Sequence, residues 1–239
     1  LKHLNDDTPV MTGRSEKMSK SKKNVVDPED IIASYGADTA RWFMLSDSPP
    51  ERDLEWTDAG ISGSWRFINK LWRLVLENAT DEKLSAPEVF SKELKQVRGQ
   101  IHHTIEGVTD DLENFHFNRA VARIYELVNT LSGVKNTNSA SQWVLKEGLE
   151  TLVQLIGPMM PHIAEELWEI MGNFTPLANT RWPIPDHALM LRDTLTIAIQ
   201  IGGKLKATIE LPSDATQETA EALALSEPAV MAAIKGKKL

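Results

Sequence analysis

The chain has 239 residues, 41% of them hydrophobic, and its 34 acidic against 26 basic side chains leave a formal net charge of −8. That length suits one large domain or two modest ones, and the acidity argues against indiscriminate wrapping of nucleic acid, so any RNA contact must come from local basic patches. The absence of cysteine removes disulfides and thiolate-bound zinc, no apolar run reaches bilayer-spanning length, and a start interrupted by Asp6-Asp7 does not read as a signal peptide.

Residues 1–16 show no periodicity, and Asp6-Asp7 and Thr12-Gly13 are turn chemistry. They lead into Glu16-Lys17-Met18-Ser19-Lys20-Ser21-Lys22-Lys23-Asn24-Val25, with four lysines in seven residues. Cations this dense repel unless an anion lies among them, and so polar a stretch cannot pack as a core element, so it reads as an exposed loop. Lysine is a mobile point charge suited to a phosphate that changes shape during reaction, and Ser19 and Ser21 add small donors. On charge alone, a solvated loop or a basic patch is the competing reading.

Asp27 then reads as the N-cap of a short helix, with Pro28 at its first position, Glu29 and Asp30 on its positive end and Gly36 at its C-terminus. A second short helix is expected to be capped by Asp38, to carry Ala40, Phe43 and Met44 on one side, and to end at Ser48-Pro49-Pro50. Thr57 caps a long helix whose apolar stripe is read as Ile61, Trp65, Ile68, Trp72, Val75 and Ala79. Arg66, Lys70 and Arg73 form a basic row on another face, either solvated or touching an RNA backbone, and Glu77 is spaced to pair with Arg73.

Ser91 caps a helix with Leu94, Val97, Ile101, Ile105, Val108 and Leu112 inward. Its adjacent His102 and His103 point about 100° apart, which disfavours a shared metal, and both are expected at exposed positions. A further helix begins near Asn118 with Val121, Ile124, Val128 and Leu131 inward, and a Gly133–Ser141 loop follows. Leu145, Leu149, Leu152 and Ile156 mark the next helix, ended by Gly157-Pro158. Pro161 opens the last one, with Ile163, Leu167, Trp168 and Met171 as its inner face. His162, Glu165 and Glu166 lack the two-histidine spacing of helical zinc sites, so no metal site is expected. About five amphipathic helices between 55 and 172 make an antiparallel bundle, bounded by Arg181-Trp182-Pro183-Ile184-Pro185.

The period then changes to two. Leu195, Ile197, Ile199 and Ile201 alternate up to Gly202-Gly203, and Leu205, Ala207, Ile209 and Leu211 alternate back, which reads as a β-hairpin. Thr216 and Ser226 are expected to cap short helices over 217–225 and 227–235. A hairpin with two small helices is thin on its own. Together with Leu1 in place of a starting Met, it leads to the expectation of a piece of a longer chain, with a further strand after Leu239.

Taken in this order, the chain resembles the C-terminal part of a bacterial leucyl-tRNA synthetase. Lys17-Met18-Ser19-Lys20-Ser21 matches the signature loop of class I aminoacyl-tRNA synthetases. Tyr35-Gly36-Ala37-Asp38-Thr39-Ala40-Arg41, Ser48-Pro49-Pro50 with Leu54-Glu55-Trp56, Pro158 to Trp168, and Gln200-Ile201-Gly202-Gly203-Lys204-Leu205 resemble the leucine enzymes in particular. Two departures stand out: Gly202 where Asn is common, and Lys23 where Gly or Asn is common.

The resemblance implies a mainly α fold, with an anticodon-binding-type antiparallel bundle followed by a small α+β domain with a hairpin. It divides the chain into 1–55 (signature loop and connecting helices), 56–186 (helical domain) and 190–239 (small tRNA-binding domain, truncated). It implies ATP with Mg2+, leucine and tRNA(Leu) as partners of the whole enzyme. Lys17 and Lys20 would be catalytic, and Lys17, Met18, Ser19, Lys20 and Ser21 would contact ATP. Arg66, Lys70, Arg73, Lys204 and Lys206 are candidate tRNA contacts. A cytoplasmic monomer without membrane association is expected, and the piece alone should be inactive. A stand-alone RNA-binding module, or the same part of a valyl, isoleucyl or methionyl enzyme, are the other readings.

Overall fold

The computed structural model describes residues 16–80, 84–191, 194–212 and 215–234. After a 3-10 turn at Lys20–Lys22 come α1 (Pro28–Tyr35), α2 (Ala37–Ser46), α3 (Asp58–Asn78), α4 (Lys92–Glu113), α5 (Phe117–Ser132), α6 (Ser139–Ile156) and α7 (Pro161–Ile170). A 3-10 turn at Leu177–Asn179 leads to α8 (His187–Met190), a hairpin of β1 (Thr194–Ile201) and β2 (Lys204–Pro212), then α9 (Gln217–Ser226) and α10 (Pro228–Ile234). Among the described residues, no helix is long and apolar enough to cross a membrane.

The local start signals operate as their chemistry dictates. Asp27, Thr57, Ser91 and Thr216 each accept a backbone N–H of the first turn they precede. Asn138 caps α6 in a reciprocal capping box with Ser141, so this helix starts inside the stretch expected as loop. Ser226 does not cap α10. Its hydroxyl donates to the Leu223 carbonyl of the preceding helix, and Glu227 opens the next one through its own carbonyl.

The core is one cluster formed by α2 to α7, dominated by fully buried Leu71, Ile101, Ile124, Leu127, Leu131, Leu152, Leu155 and Ile156. On α3 the expected Ile61, Ile68 and Val75 are buried, joined by Phe67, Leu71 and Leu74, and Trp72 and Ala79 pack half-buried against the core; of the expected stripe, Trp65 departs. Trp65 is 41% exposed and sits edge-on to Tyr35 of α1, with ring centroids 6.4 Å apart. The buried face is wider than the expected stripe and extends to Phe67, which stacks on Trp42 of α2.

Helix α2 differs from expectation in the same way. Trp42 and Phe43 are buried and Met44 is exposed. Asp38 does not cap its own helix, whose preceding Gly36 offers no side chain. Its carboxylate instead accepts the Ile163 N–H at 2.8 Å, capping α7 from 125 residues away, and also takes Arg41 at 2.7 Å. Helix α7 has no capping side chain of its own at Met160, so Asp38 satisfies an end that would otherwise stay orphaned.

The two adjacent histidines are anchors, not exposed residues. The chain returns along α4 after α7: Trp182 Nε1 donates to Thr109 Oγ1 at 2.8 Å, and the Asp186 N–H donates to His102 Nδ1 at 3.0 Å. His103 Nε2 lies 3.1 Å from the Met190 carbonyl oxygen. Thus residues 182–190 form a strap on α4 that leads into the hairpin.

Behind His102, Arg98 donates two bonds to Glu147, at 2.8 and 2.9 Å, while its guanidinium lies over Phe90 and Trp143. Burial pushes the Glu147 carboxyl up, but the Arg98 hydrogen bonds and His102, 3.7 Å away, pull it down further, to below its ordinary 4.5. A lowered folded pKa contributes stability above the ordinary value, lost as pH falls through the lowered one. Glu147→Gln is therefore expected to lose about 1.5–3 kcal/mol at neutral pH, with the gap to wild type closing on acidification below pH 4.5. Urea midpoints across pH check this; a gap independent of pH contradicts it.

In the hairpin, Leu195 pairs with Leu211, Ile197 with Ile209 and Ile199 with Ala207. Gly202 and Gly203 have φ of 58° and 76°, the two positive values a type I′ turn needs. The register shifts between Ile199 and Gln200, which leaves Lys206 as the extra residue of a bulge that strict alternation did not foresee. Ile209 and Leu211 are buried, as is Val230 of α10, which packs against β2, while Leu195 and Ile197 remain exposed.

Candidate functional site

The lysine stretch is a shaped turn. Ser19 is extended (φ −153°, ψ 146°), and its hydroxyl and carbonyl both accept the Lys22 N–H, at 3.3 and 3.1 Å. Ser19 Oγ lies 3.2 Å from Ser21 Oγ. The turn closes at Lys23, whose φ of 54° is left-handed and whose N–H returns to the Lys20 carbonyl at 3.2 Å. This conformation is easier for Gly or Asn than for lysine, by roughly 1–2 kcal/mol. The departure noted at Lys23 therefore falls on the one left-handed residue of the turn. Asn24 reaches back across it: its Oδ1 accepts the Ser19 N–H at 2.8 Å, and its Nδ2 lies 3.5 Å from the Lys17 carbonyl.

The four lysines are not equivalent. Lys22 Nζ is tied to Glu16 at 2.7 Å. Lys17, Lys20 and Lys23 are exposed, and among the described residues none of them is paired with a carboxylate. Ammonium groups without a carboxylate partner among the described residues, carried on a preshaped turn, are suited to holding an anion. The sequence could not distinguish Lys22 from its neighbours, because its partner lies six residues back in an irregular segment.

The other candidate residues lie apart from this turn. Arg66, Lys70 and Arg73 are exposed on α3. Lys70 Nζ donates to Asn129 Oδ1 at 2.7 Å and Arg73 Nε to the Asn69 carbonyl at 3.2 Å. These partners are neutral, so the row keeps its charge, and the spacing between Arg73 and Glu77 does not become an ion pair. Lys204 and Lys206 are exposed at the start of β2. Among the described residues, no group of three or more His, Cys, Asp or Glu side chains is arranged to hold a metal.

Residues 6–57 match the family described as tRNA synthetases class I (I, L, M and V), and residues 95–222, more than half of the chain, match the anticodon-binding domain of tRNA ligase. The chain is 55% identical over 237 residues to the leucine–tRNA ligase of Paramagnetospirillum magneticum and 51% identical over 239 residues to that of Parvibaculum lavamentivorans. The chain belongs to the leucyl-tRNA synthetase family. Each alignment takes in 99% of this chain but 28% of the relative, so the chain spans about 28% of the length of the curated leucyl-tRNA synthetases it matches.

Among solved structures, a ternary complex of Agrobacterium radiobacter K84 LeuRS with tRNA and LeuAMS is similar over 93% of this chain and 29% of its own, with a TM-score of 0.80 at 30% identity. Mycobacterium tuberculosis methionyl-tRNA synthetase with methionyl-adenylate shares the fold over 65% of this chain and 36% of its own, with a TM-score of 0.57 at 20% identity. The mainly α architecture with an anticodon-binding-type bundle is thus that of the leucyl-tRNA synthetases, and the valyl, isoleucyl and methionyl readings give way to the leucyl one.

Proposed function

We propose that this chain is the segment of a leucine–tRNA ligase that holds the departing pyrophosphate during leucine activation and grips the tRNA. In that reaction the leucine carboxylate attacks the α-phosphorus of ATP, the bond to the β-phosphate oxygen breaks, and leucyl-adenylate and pyrophosphate form. The acyl group then moves to the 3′ end of tRNA(Leu). Negative charge grows on the leaving oxygens, so cations held there act more on the transition state than on bound ATP.

Lys20 is assigned the principal phosphate contact and Lys17 its helper, with Met18, Ser19 and Ser21 completing the ATP-facing turn. The observation that carries this reading is that Lys17 and Lys20 stand exposed on a hydrogen-bonded turn with no carboxylate partner among the described residues, while Lys22 is paired with Glu16. Mg2+ enters as the counter-ion of the nucleotide substrate. The division at 1–55, 56–186 and 190–239, a monomeric state and a cytoplasmic location belong to the same proposal.

The RNA-facing part is assigned to Arg66, Lys70 and Arg73 on α3 and to Lys204 and Lys206 at the hairpin. Its test is the salt dependence of tRNA binding. Replacing Arg66, Lys70 and Arg73 together by Ala is expected to flatten the slope of log K against log salt by about 2–3, at roughly 0.7–0.9 per phosphate contact. An unchanged slope removes this face from the interface.

A further inference from the structure

We propose that Asn24 is a positioning residue of the signature turn, holding its two arms together so that the Lys17 and Lys20 ammonium groups are presented as a pair. This rests on the reading of the turn given above. No side chain between Glu16 and Val25 is buried, so packing does not set the shape of this segment. The backbone bonds from Lys22 to Ser19 and from Lys23 to Lys20 each span three residues and close only the tip.

Two side-chain contacts among the described residues tie the arms. One is the Glu16–Lys22 ion pair, whose side chains are 59% and 52% exposed. A pair this exposed is weak and screened by salt. The other is Asn24, which meets a backbone amide at 2.8 Å and so constrains orientation as well as distance. The chemistry suits a carboxamide. It offers an acceptor to the Ser19 N–H and a donor toward the Lys17 carbonyl, and being neutral it leaves the lysine charges uncompensated. The left-handed turn at Lys23 is what returns Asn24 across the loop.

The test uses the full-length ligase that carries this segment and reads leucine-dependent pyrophosphate exchange. Asn24→Ala is expected to lower kcat roughly 10- to 100-fold, the scale of a slightly misplaced catalytic group, with the leucine KM and the melting temperature unchanged. Asn24→Asp keeps the acceptor, loses the donor and adds an opposing charge, and is expected to fall at least as far. If Asn24 acts through Lys20, its replacement costs much less in a Lys20→Ala background. Wild-type exchange by Asn24→Ala, or additive losses in the double variant, overturns the role of Asn24 alone. Wild-type exchange by Lys20→Ala overturns the phosphate reading beneath it as well.

Discussion

Lys20→Ala in the full-length ligase is expected to lose at least a hundredfold in leucine-dependent pyrophosphate exchange. Removing one preorganised group aimed at developing charge typically costs about 3–4 kcal/mol, and each 1.36 kcal/mol is a factor of ten in rate. On the proposed role the loss belongs in kcat more than in the KM for ATP, because the charge that Lys20 would meet is greatest as the pyrophosphate departs. Lys22→Ala is the internal control. Its ammonium is already held by Glu16 at 2.7 Å, so it should lose far less. Near-wild-type exchange by Lys20→Ala, or equal losses at Lys20 and Lys22, would remove the assignment of Lys20.

The second large effect concerns the joint between the signature turn and the bundle. Trp42 of α2 is fully buried, stacked on Phe67 with centroids 5.0 Å apart and planes within 4°, and tilted against Tyr125 at 5.9 Å. Its Nε1 lies 3.3 Å from the Tyr125 hydroxyl, so its one polar atom is also satisfied. Trp42→Ala is expected to cost about 3–5 kcal/mol, the transfer loss plus the cavity left between α2, α3 and α5. Urea denaturation checks this, and Trp42→Phe, which refills part of the volume, should lose clearly less. Stability near that of wild type would mean that Trp42 does not dock α2 on the bundle as described.

Much of the helical architecture is readable without coordinates, since its determinants are local. Asp27, Thr57, Ser91 and Thr216 are caps because each places an oxygen two or three residues before an N–H it accepts. The hairpin is readable because alternation and Gly202-Gly203 specify strand and turn together. Misreadings arise where one pattern permits two outcomes. On α3, spacing gives Trp65 the same claim to burial as Phe67 and Leu71, and only the latter two are buried. Asp38 is spaced to cap α2 and instead caps α7. His102 and His103 look solvent-facing until the strap of residues 182–190 is laid on them. In the signature turn, the lysines are equal by composition and unequal by partner.

The sequence by itself determined the five bundle helices, the caps at Asp27, Thr57, Ser91 and Thr216, the two-residue turn, the charge-dense signature loop and, through it, the family to which the chain belongs. Those depend on neighbours within a few residues, where geometry follows from covalent spacing. Only the tertiary structure decided that the buried face of α3 takes in Phe67 and Leu71 and leaves out Trp65, that α7 is capped from α2, that two histidines hold a strap, and that Lys22, unlike Lys17 and Lys20, has a carboxylate partner among the described residues. In all but the last, the partner lies far along the chain, and for Lys22 it lies across an irregular loop. In each case the free energy is set by distance and burial in space, which residue spacing does not encode.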